Sequence, residues 1–304
     1  MDTEWQQYTL AEERRTRTWL DYVQGLTWVL HAEGFELRTG FDLKITSEVP
    51  LGAGLSSSAA LEVAVLRAIR QEFALDLDDV KLALLGQRAE NDFVGARCGI
   101  MDQMAASLAD ASSALFLDTR SLEYRRVALP AEADLVVIHS GVEHEISGGD
   151  YNTRRAECEE AARLLGVPQL RDLTAADAAR VNALPEPLNR RARHVMTEDA
   201  RVLTAITAME ADDLQRLGRL FAESHASMRD DFEVSVPDVD RLVDLAQADP
   251  DVFGARLTGG GFGGSIVALT RAGTGRAVAE RVARAYAARA GREPSVLVPP
   301  SQDR

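Results

Sequence analysis

The amino-acid sequence predicts a two-domain protein of mixed α/β (α+β) class, and three observations carry that expectation. Its 304 residues give room for two packed domains. In the first half, strand-like alternation and amphipathic helix patterns follow one another closely. In the second half long amphipathic helices dominate, closed by a strand, a glycine loop, a strand, a helix and a last strand. The expected domains are 1–148 and 149–304, with the boundary near 140–155 and no flexible linker.

Each element has its own signal. "DYVQGLTWVLHAEG" (21–34) has apolar residues at helical spacing and stops at Gly34. "FDLKITSEV" (41–49) sets Phe41, Leu43 and Ile45 against Asp42, Lys44 and Thr46, the alternation of a half-buried strand. Helical spacing returns over 57–74 and 78–93. "ALFLDTRSLEYRRVAL" and "ADLVVIHS" suggest strands, the second rich enough in branched apolar residues to be central in a sheet. Helices are expected over 152–166, 190–209, 212–229 and 237–248, the last entered through Ser235 as cap with Pro237 in its first turn. Strands "GARLT", "SIVAL" and "SVLVP" and a helix at 275–290 complete the chain.

Composition excludes several functions. Apolar residues make up 46% and charged residues 27%, a globular profile with no apolar run long enough to span a bilayer. The start is acidic and polar, unlike a secretory leader. A formal net charge of −14 and the lack of a basic run argue against a nucleic-acid partner. Cys98 and Cys158 form no CxxC pair, which suits a reduced, cytoplasmic setting. The five histidines, at 31, 139, 144, 194 and 225, have no metal-ligand spacing and are expected on the surface or in packing.

Two glycine-rich loops could carry chemistry. In "LGAGLSSSAALE" (51–62), Gly52 and Gly54 free the backbone to turn its N–H groups into one concavity. Ser56, Ser57 and Ser58 add hydroxyls, and a helix N-terminus follows. That makes a phosphate seat, although a plain strand-to-helix turn with a serine cap has the same spacing. The only lysines, Lys44 and Lys81, lie beside no glycine loop, so a Walker A mechanism is excluded. In "LTGGGFGGS" (257–265), five glycines in six positions exceed what a tight turn needs, and either a close approach to the backbone or a wide hairpin would account for them. The presence of such loops in both halves suggests a ligand held at a domain interface. In "AENDFVGARCGIMDQ" (89–103), Glu90 falls on a helix, and Asp102 could cap the next helix or act as a base.

Taken together, "PLGAGLSSSAALEVA", "ENDFVGARCGIMDQ", "SGGDYNTRRAECEEA" and "GARLTGGGFGG" resemble, in order and spacing, the motifs of the GHMP small-molecule kinases, over about residues 17–298. The middle two resemble the galactokinase branch. The resemblance implies a two-domain architecture, with a first domain like ribosomal protein S5 domain 2 and a ferredoxin-like, helix-rich second. It also implies ATP-dependent phosphorylation of galactose at C1 with Mg²⁺, by a cytoplasmic monomer. By the same resemblance Gly52, Ala53, Gly54, Leu55, Ser56, Ser57, Ser58, Ala59 and Ala60 form the phosphate-binding loop, with Trp19 on the adenine side. Ser58 and Glu90 are implied as magnesium ligands and Asp102 as catalytic base. Gly99, Asp102, Tyr151, Gly259, Gly260 and Gly261 match substrate-pocket positions.

The sequence also departs from the branch. Galactokinases begin with a segment of the form G-R-x-N-L-I-G-E-H-x-D-Y that supplies an arginine stabilising the transferring phosphoryl group, and no such segment occurs here. Because the remaining catalytic and sugar-side residues are intact, an upstream start that restores the segment is expected. Ala53 stands where a third glycine is common and Ser265 where cysteine is. The alternatives are a non-catalytic sugar and nucleotide sensor, an inactive truncated kinase, or a kinase of a different sugar such as N-acetylgalactosamine. A mevalonate kinase is a further alternative, against which "GDYNTRR" and "GIMDQ" argue.

Overall fold

The computed structural model describes residues 5–50, 54–96, 98–142 and 149–297. The chain divides into two compact units, one of residues 1–50 and 56–126, the other of 51–55 and 127–304. The sequence reading gives 127–148 to the first domain, whereas the strand in this stretch pairs with strands near the C-terminus.

The first unit is mostly helical. Helix α1 (Leu20–Ala32), α2 (Ser57–Glu72) and α3 (Asp79–Arg88) share a core built from Leu26, Val29 and Leu30, from Val65, Leu66 and Ile69, and from Leu82 and Leu85. The end of α1 follows from Gly34 at φ 87, which lets the Phe35 N–H turn back to the Leu30 carbonyl at 3.0 Å. Asp78 caps α3 by accepting from the Lys81 N–H at 2.7 Å. After α3 the helix does not simply continue to 93. Ala89–Val94 is a π-helical turn, in which the N–H groups of Gly95 and Ala96 both reach the Glu90 carbonyl, at 2.8 and 3.1 Å. Helix α4 (Met101–Leu108) and the two-stranded sheet of β1 (Ser113–Leu117) and β2 (Tyr124–Ala128) follow.

The strand expected at 41–49 is not one. Phe41, Leu43 and Ile45 are half-buried against the helical core and Asp42, Lys44 and Thr46 are exposed, so the alternation is real. Among the described residues no other strand lies beside it, and a strand exists only as part of a ladder.

In the second unit β3 (Ala133–His139) is followed by α5 (Gly149–Leu165), α6 (Ala178–Asn182), α7 (Leu188–Glu210), α8 (Leu214–Asp230), α9 (Pro237–Gln247), β4 (Val252–Thr258), β5 (Ser265–Arg271), α10 (Gly275–Ala290) and β6 (Ser295–Leu297). The sheet order is β4-β5-β3-β6, so β3 is interior as its apolar run predicts, and all its pairings are antiparallel. Val136 and Ile138 of β3, Ala255 and Leu257 of β4, and Ile266 and Ala268 of β5 turn one face onto Leu242 of α9 and Val282 and Tyr286 of α10. Leu269 packs with Leu217 and Leu220 of α8. Helix α8 comes so close to β4 that a Cβ on Gly218 would sit 2.0 Å from the Phe253 carbonyl oxygen. Ser235 does not cap α9; Val236 holds the cap position with Pro237 first in the helix, and the Ser235 hydroxyl donates instead to Asp240 at 2.5 Å.

Among the described residues no helix is long and apolar enough to cross a membrane.

Candidate functional site

The first unit holds a buried carboxylate cluster. Glu62 on α2 has no exposed surface and Glu90, in the π-helical turn, keeps only 6% of its own. The Gln103 side chain from α4 joins them, its Nε2 donating to Glu62 Oε2 at 3.0 Å and to Glu90 Oε2 at 2.7 Å. The Cys98 thiol donates to the same Glu90 oxygen at 3.4 Å. Burial, then the facing Glu90 carboxylate, pushes Glu62 well above the usual carboxylate range. Burial and Glu90 likewise push the Cys98 thiol up to about 12, which keeps it neutral. Tyr22 of α1 is raised by burial and by the same two carboxylates.

Local structure explains how the cluster is held. Asn91 accepts from the Cys98 N–H at 2.8 Å and donates to its carbonyl at 3.3 Å, which pins the loop leaving the π-helical turn. Gly25 lets α1 lie against that turn, since a Cβ there would already be 3.3 Å from the Cβ atoms of Ala89 and Phe93. On α3, Gly86 leaves room for the Glu62 side chain, and a Cβ there would come within 3.3 Å of Glu62 Oε2.

Asp102 is half-buried in the first turn of α4, immediately before Gln103. It is not the cap: Ile100 holds that position and makes no side-chain cap bond. Ser58 lies one helical turn before Glu62 on α2, hence on the same face as the cluster. The N–H groups of Ser57, Ser58 and Ala59 precede the first intrahelical bond, Ala60 to Ser56 at 3.0 Å, and are available to an anion. Ser56 takes a left-handed conformation at φ 55 and makes no side-chain cap bond, so the plain serine-cap reading does not hold.

Mg²⁺ prefers hard oxygen ligands and is commonly held by one or two carboxylates together with substrate phosphates. The cluster's oxygens fit such an ion: Glu90 offers a carboxylate, and the neighbouring Gln103 Oε1 is buried without a hydrogen-bond partner. Among the described residues no group of three or more His, Cys, Asp or Glu is placed to hold a metal ion by itself.

The second unit holds Gly54 of the first glycine loop and the whole of the second. Gly54 has φ 71 and Gly259 has φ 82, and the two backbones touch. Gly261 stands against Val234, whose carbonyl accepts from the Phe262 N–H at 2.6 Å. Gly263 stands against Val142, and the Gly264 N–H donates to the Val142 carbonyl at 3.0 Å. What approaches this loop closely is therefore its own chain at three positions. Gly260 differs, since a Cβ there would meet no atom within 4 Å.

Of the other expected residues, Trp19 is half-exposed at the head of α1 and Gly99 is exposed. Tyr151 falls in α5, with its side chain outside the described residues, as are Gly52 and Ala53. Sequence reasoning missed Glu62, Gln103, Cys98 and Gly86. Glu62 did leave a signal, because an ionisable residue falls within the otherwise apolar stripe of Ala59, Val63, Leu66 and Ile69.

Comparison with known proteins defines the class. Residues 21–110 match the GHMP kinases N terminal domain and residues 205–288 the GHMP kinases C terminal domain. The galactokinase of Chloroflexus aurantiacus is 48% identical over 298 residues, which cover 96% of this chain and 76% of that protein. That of Pasteurella multocida is 44% identical over 296 residues, covering 95% and 77%. The crystal structure of Lactococcus lactis galactokinase complexed with galactose superposes with a TM-score of 0.89 at 34% identity, covering 94% of this chain and 76% of that one. The chain belongs to the galactokinase family of the GHMP kinases. It is thus a phosphotransferase with an alcohol acceptor and ATP as donor.

Proposed function

We propose that the protein transfers the γ-phosphoryl group of ATP to the C1 hydroxyl of galactose, giving galactose 1-phosphate and ADP. The observation that carries the choice of sugar is the likeness to a galactokinase solved with galactose bound. In this reading Asp102 takes the proton from the C1 hydroxyl as that oxygen forms its bond to the γ-phosphorus. The bond from phosphorus to the bridging β,γ-oxygen breaks, and ADP leaves with its electron pair. The backbone N–H groups opening α2 and the loop at 52–60 cradle the phosphates in place of a lysine. Ser58 and Glu90 hold Mg²⁺, which when bound neutralises charge on the phosphates. Trp19 faces the adenine, and Gly99, Tyr151, Gly259, Gly260 and Gly261 belong to the substrate pocket. Two free cysteines support a cytoplasmic setting, and we take the monomer as the working unit.

The test is ADP release from Mg-ATP with and without galactose, with Asp102→Ala beside the parent chain. Galactose-dependent release is expected, falling by about 10²–10⁴-fold in the variant while ATP binding persists. Turnover retained in Asp102→Ala would remove the base from this account. Release that answers to another sugar and not to galactose would remove the substrate.

A further inference from the structure

The amide of Gln103 does more than fill space between two acids. Its Nε2 is shared by Glu62 Oε2 and Glu90 Oε2 at 3.0 and 2.7 Å, and Gln103 itself is 1% exposed. The three groups come from α2, the π-helical turn and α4, so the amide ties together three elements of the first unit. Glycine in the middle of a helix costs about 1 kcal/mol relative to alanine. Yet Gly86 occupies such a position in α3, where a Cβ would press on Glu62 Oε2 at 3.3 Å and on Gln103 Cγ at 3.4 Å. A position that forgoes helix stability to leave room for this pair points to a requirement on the pair's geometry.

We propose that Gln103 is a positioning residue for the cation: by bridging Glu62 and Glu90 it fixes the plane of the Glu90 carboxylate for Mg²⁺, and Gly86 preserves the space the bridge needs. The inference rests on the proposed role of Glu90 as a cation ligand. With Gln103 in place, one oxygen of Glu90 is fixed by two donors, the amide and the Cys98 thiol. Without the amide, Glu90 can rotate and must be ordered when the cation arrives, at the expense of affinity.

The experiment measures Mn²⁺, as a spectroscopic substitute for Mg²⁺, bound to the ADP complex of the full chain by electron paramagnetic resonance. ADP binding in EDTA, by calorimetry, is the metal-free reference. Gln103→Met keeps the length of the side chain and removes the donor. We expect Mn²⁺ affinity to fall about tenfold, in the range found for groups that orient metal ligands, with metal-free ADP binding unchanged. In turnover the KM for Mg²⁺ should rise by a similar factor, with kcat largely restored at high Mg²⁺. Gly86→Ala, which crowds the pair from α3, should weaken Mn²⁺ several-fold and decides the matter if Gln103→Met does not fold. Glu90→Ala separates the two levels. If Glu90→Ala leaves Mn²⁺ affinity intact, the ligand assignment fails. If Glu90→Ala weakens it but Gln103→Met and Gly86→Ala do not, the positioning role alone is overturned.

Discussion

The carbonyl oxygen of Gly54 lies where a side chain on Gly259 would have to begin, for a Cβ built on Gly259 comes within 2.8 Å of it. The two glycine-rich stretches, far apart in sequence, thus meet backbone against backbone. Both residues have positive φ, 71° and 82°, so each is glycine for its conformation as well as for its neighbour. The same rule runs along the second loop, where Gly261 and Gly263 face the backbones of Val234 and Val142.

This pattern separates the glycines that face their own chain from Gly260, where a Cβ would meet no atom within 4 Å. Gly259→Ala must relieve a backbone clash and adopt a left-handed conformation that by itself costs about 1–2 kcal/mol. It should lower the unfolding midpoint by several degrees and weaken ATP binding. Gly260→Ala meets nothing within 4 Å and lies outside the left-handed region, so stability should change by less than about 0.5 kcal/mol. Any loss of activity in Gly260→Ala then reports on bound ligand. Equal destabilisation by the two substitutions, seen in thermal melts, would contradict the assignment.

Much of this architecture was legible in the sequence because it rests on local periodicity. The long amphipathic helices α1 to α3, α5 and α7 to α10 and the interior place of β3 follow from apolar spacing, whereas the short α4 and α6 do not. What was not legible depends on contacts between distant residues. The alternation at 41–46 is genuine, but a ladder needs a partner that a single segment does not specify. The π-helical turn at Glu90 leaves no periodic trace. Sequence alone slightly favours Asp102 as a cap over a base, yet Ile100 holds the cap position. Gln103 stood within a quoted motif, yet its role appears only when Glu62 and Glu90 are brought to either side of it.

Arg191 anchors the segment that supports the second glycine loop. It is 2% exposed, and its guanidinium reaches Glu157 at 2.7 Å, Glu233 at 2.5 Å and the Asp231 carbonyl at 2.6 Å. Val234, next in the chain, receives the Phe262 N–H. Replacing Arg191 by Met removes its charge-assisted hydrogen bonds, while Arg154 still holds Glu157 and Arg190 still holds Glu233; the expected cost is about 2–3 kcal/mol. Urea unfolding of Arg191→Met should show a loss of that order. A loss below about 1 kcal/mol would mean the network behaves as an exposed one.

Glu62 gives the first unit a sensitivity to alkali. Its folded-state pKa is raised, so between the ordinary carboxylate range and that raised value the native state holds more protons than the unfolded chain. Stability from this group is full in acid and is lost as pH rises through the raised value. Glu62→Gln keeps the shape and cannot ionise. Its melting temperature should therefore fall less than that of the parent chain between pH 6 and pH 9. Parallel declines would show that Glu62 ionises as readily in the fold as outside it.

His194 gives the second unit the opposite sensitivity. It stacks on Phe232 with ring centroids 4.3 Å apart, and its Nδ1 pairs with the Ser227 hydroxyl at 3.0 Å. Burial lowers it from 6.5 to about 4, against a smaller upward pull from Glu198. The unfolded chain therefore binds a proton that the native state refuses, and stability falls as pH drops from about 6.5 toward 4. The full effect below that window is on the order of 3 kcal/mol, from about 1.4 kcal/mol per pKa unit. His194→Phe retains the stack, and Ser227 keeps its bond to Asp231 at 3.1 Å. Losing one neutral hydrogen bond should cost about 1 kcal/mol at pH 7, yet the variant should overtake the parent chain near pH 4. Urea titrations across this range decide it. If the two curves keep a constant separation, His194 takes up its proton within the fold without penalty, and the acid sensitivity must come from the carboxylates instead.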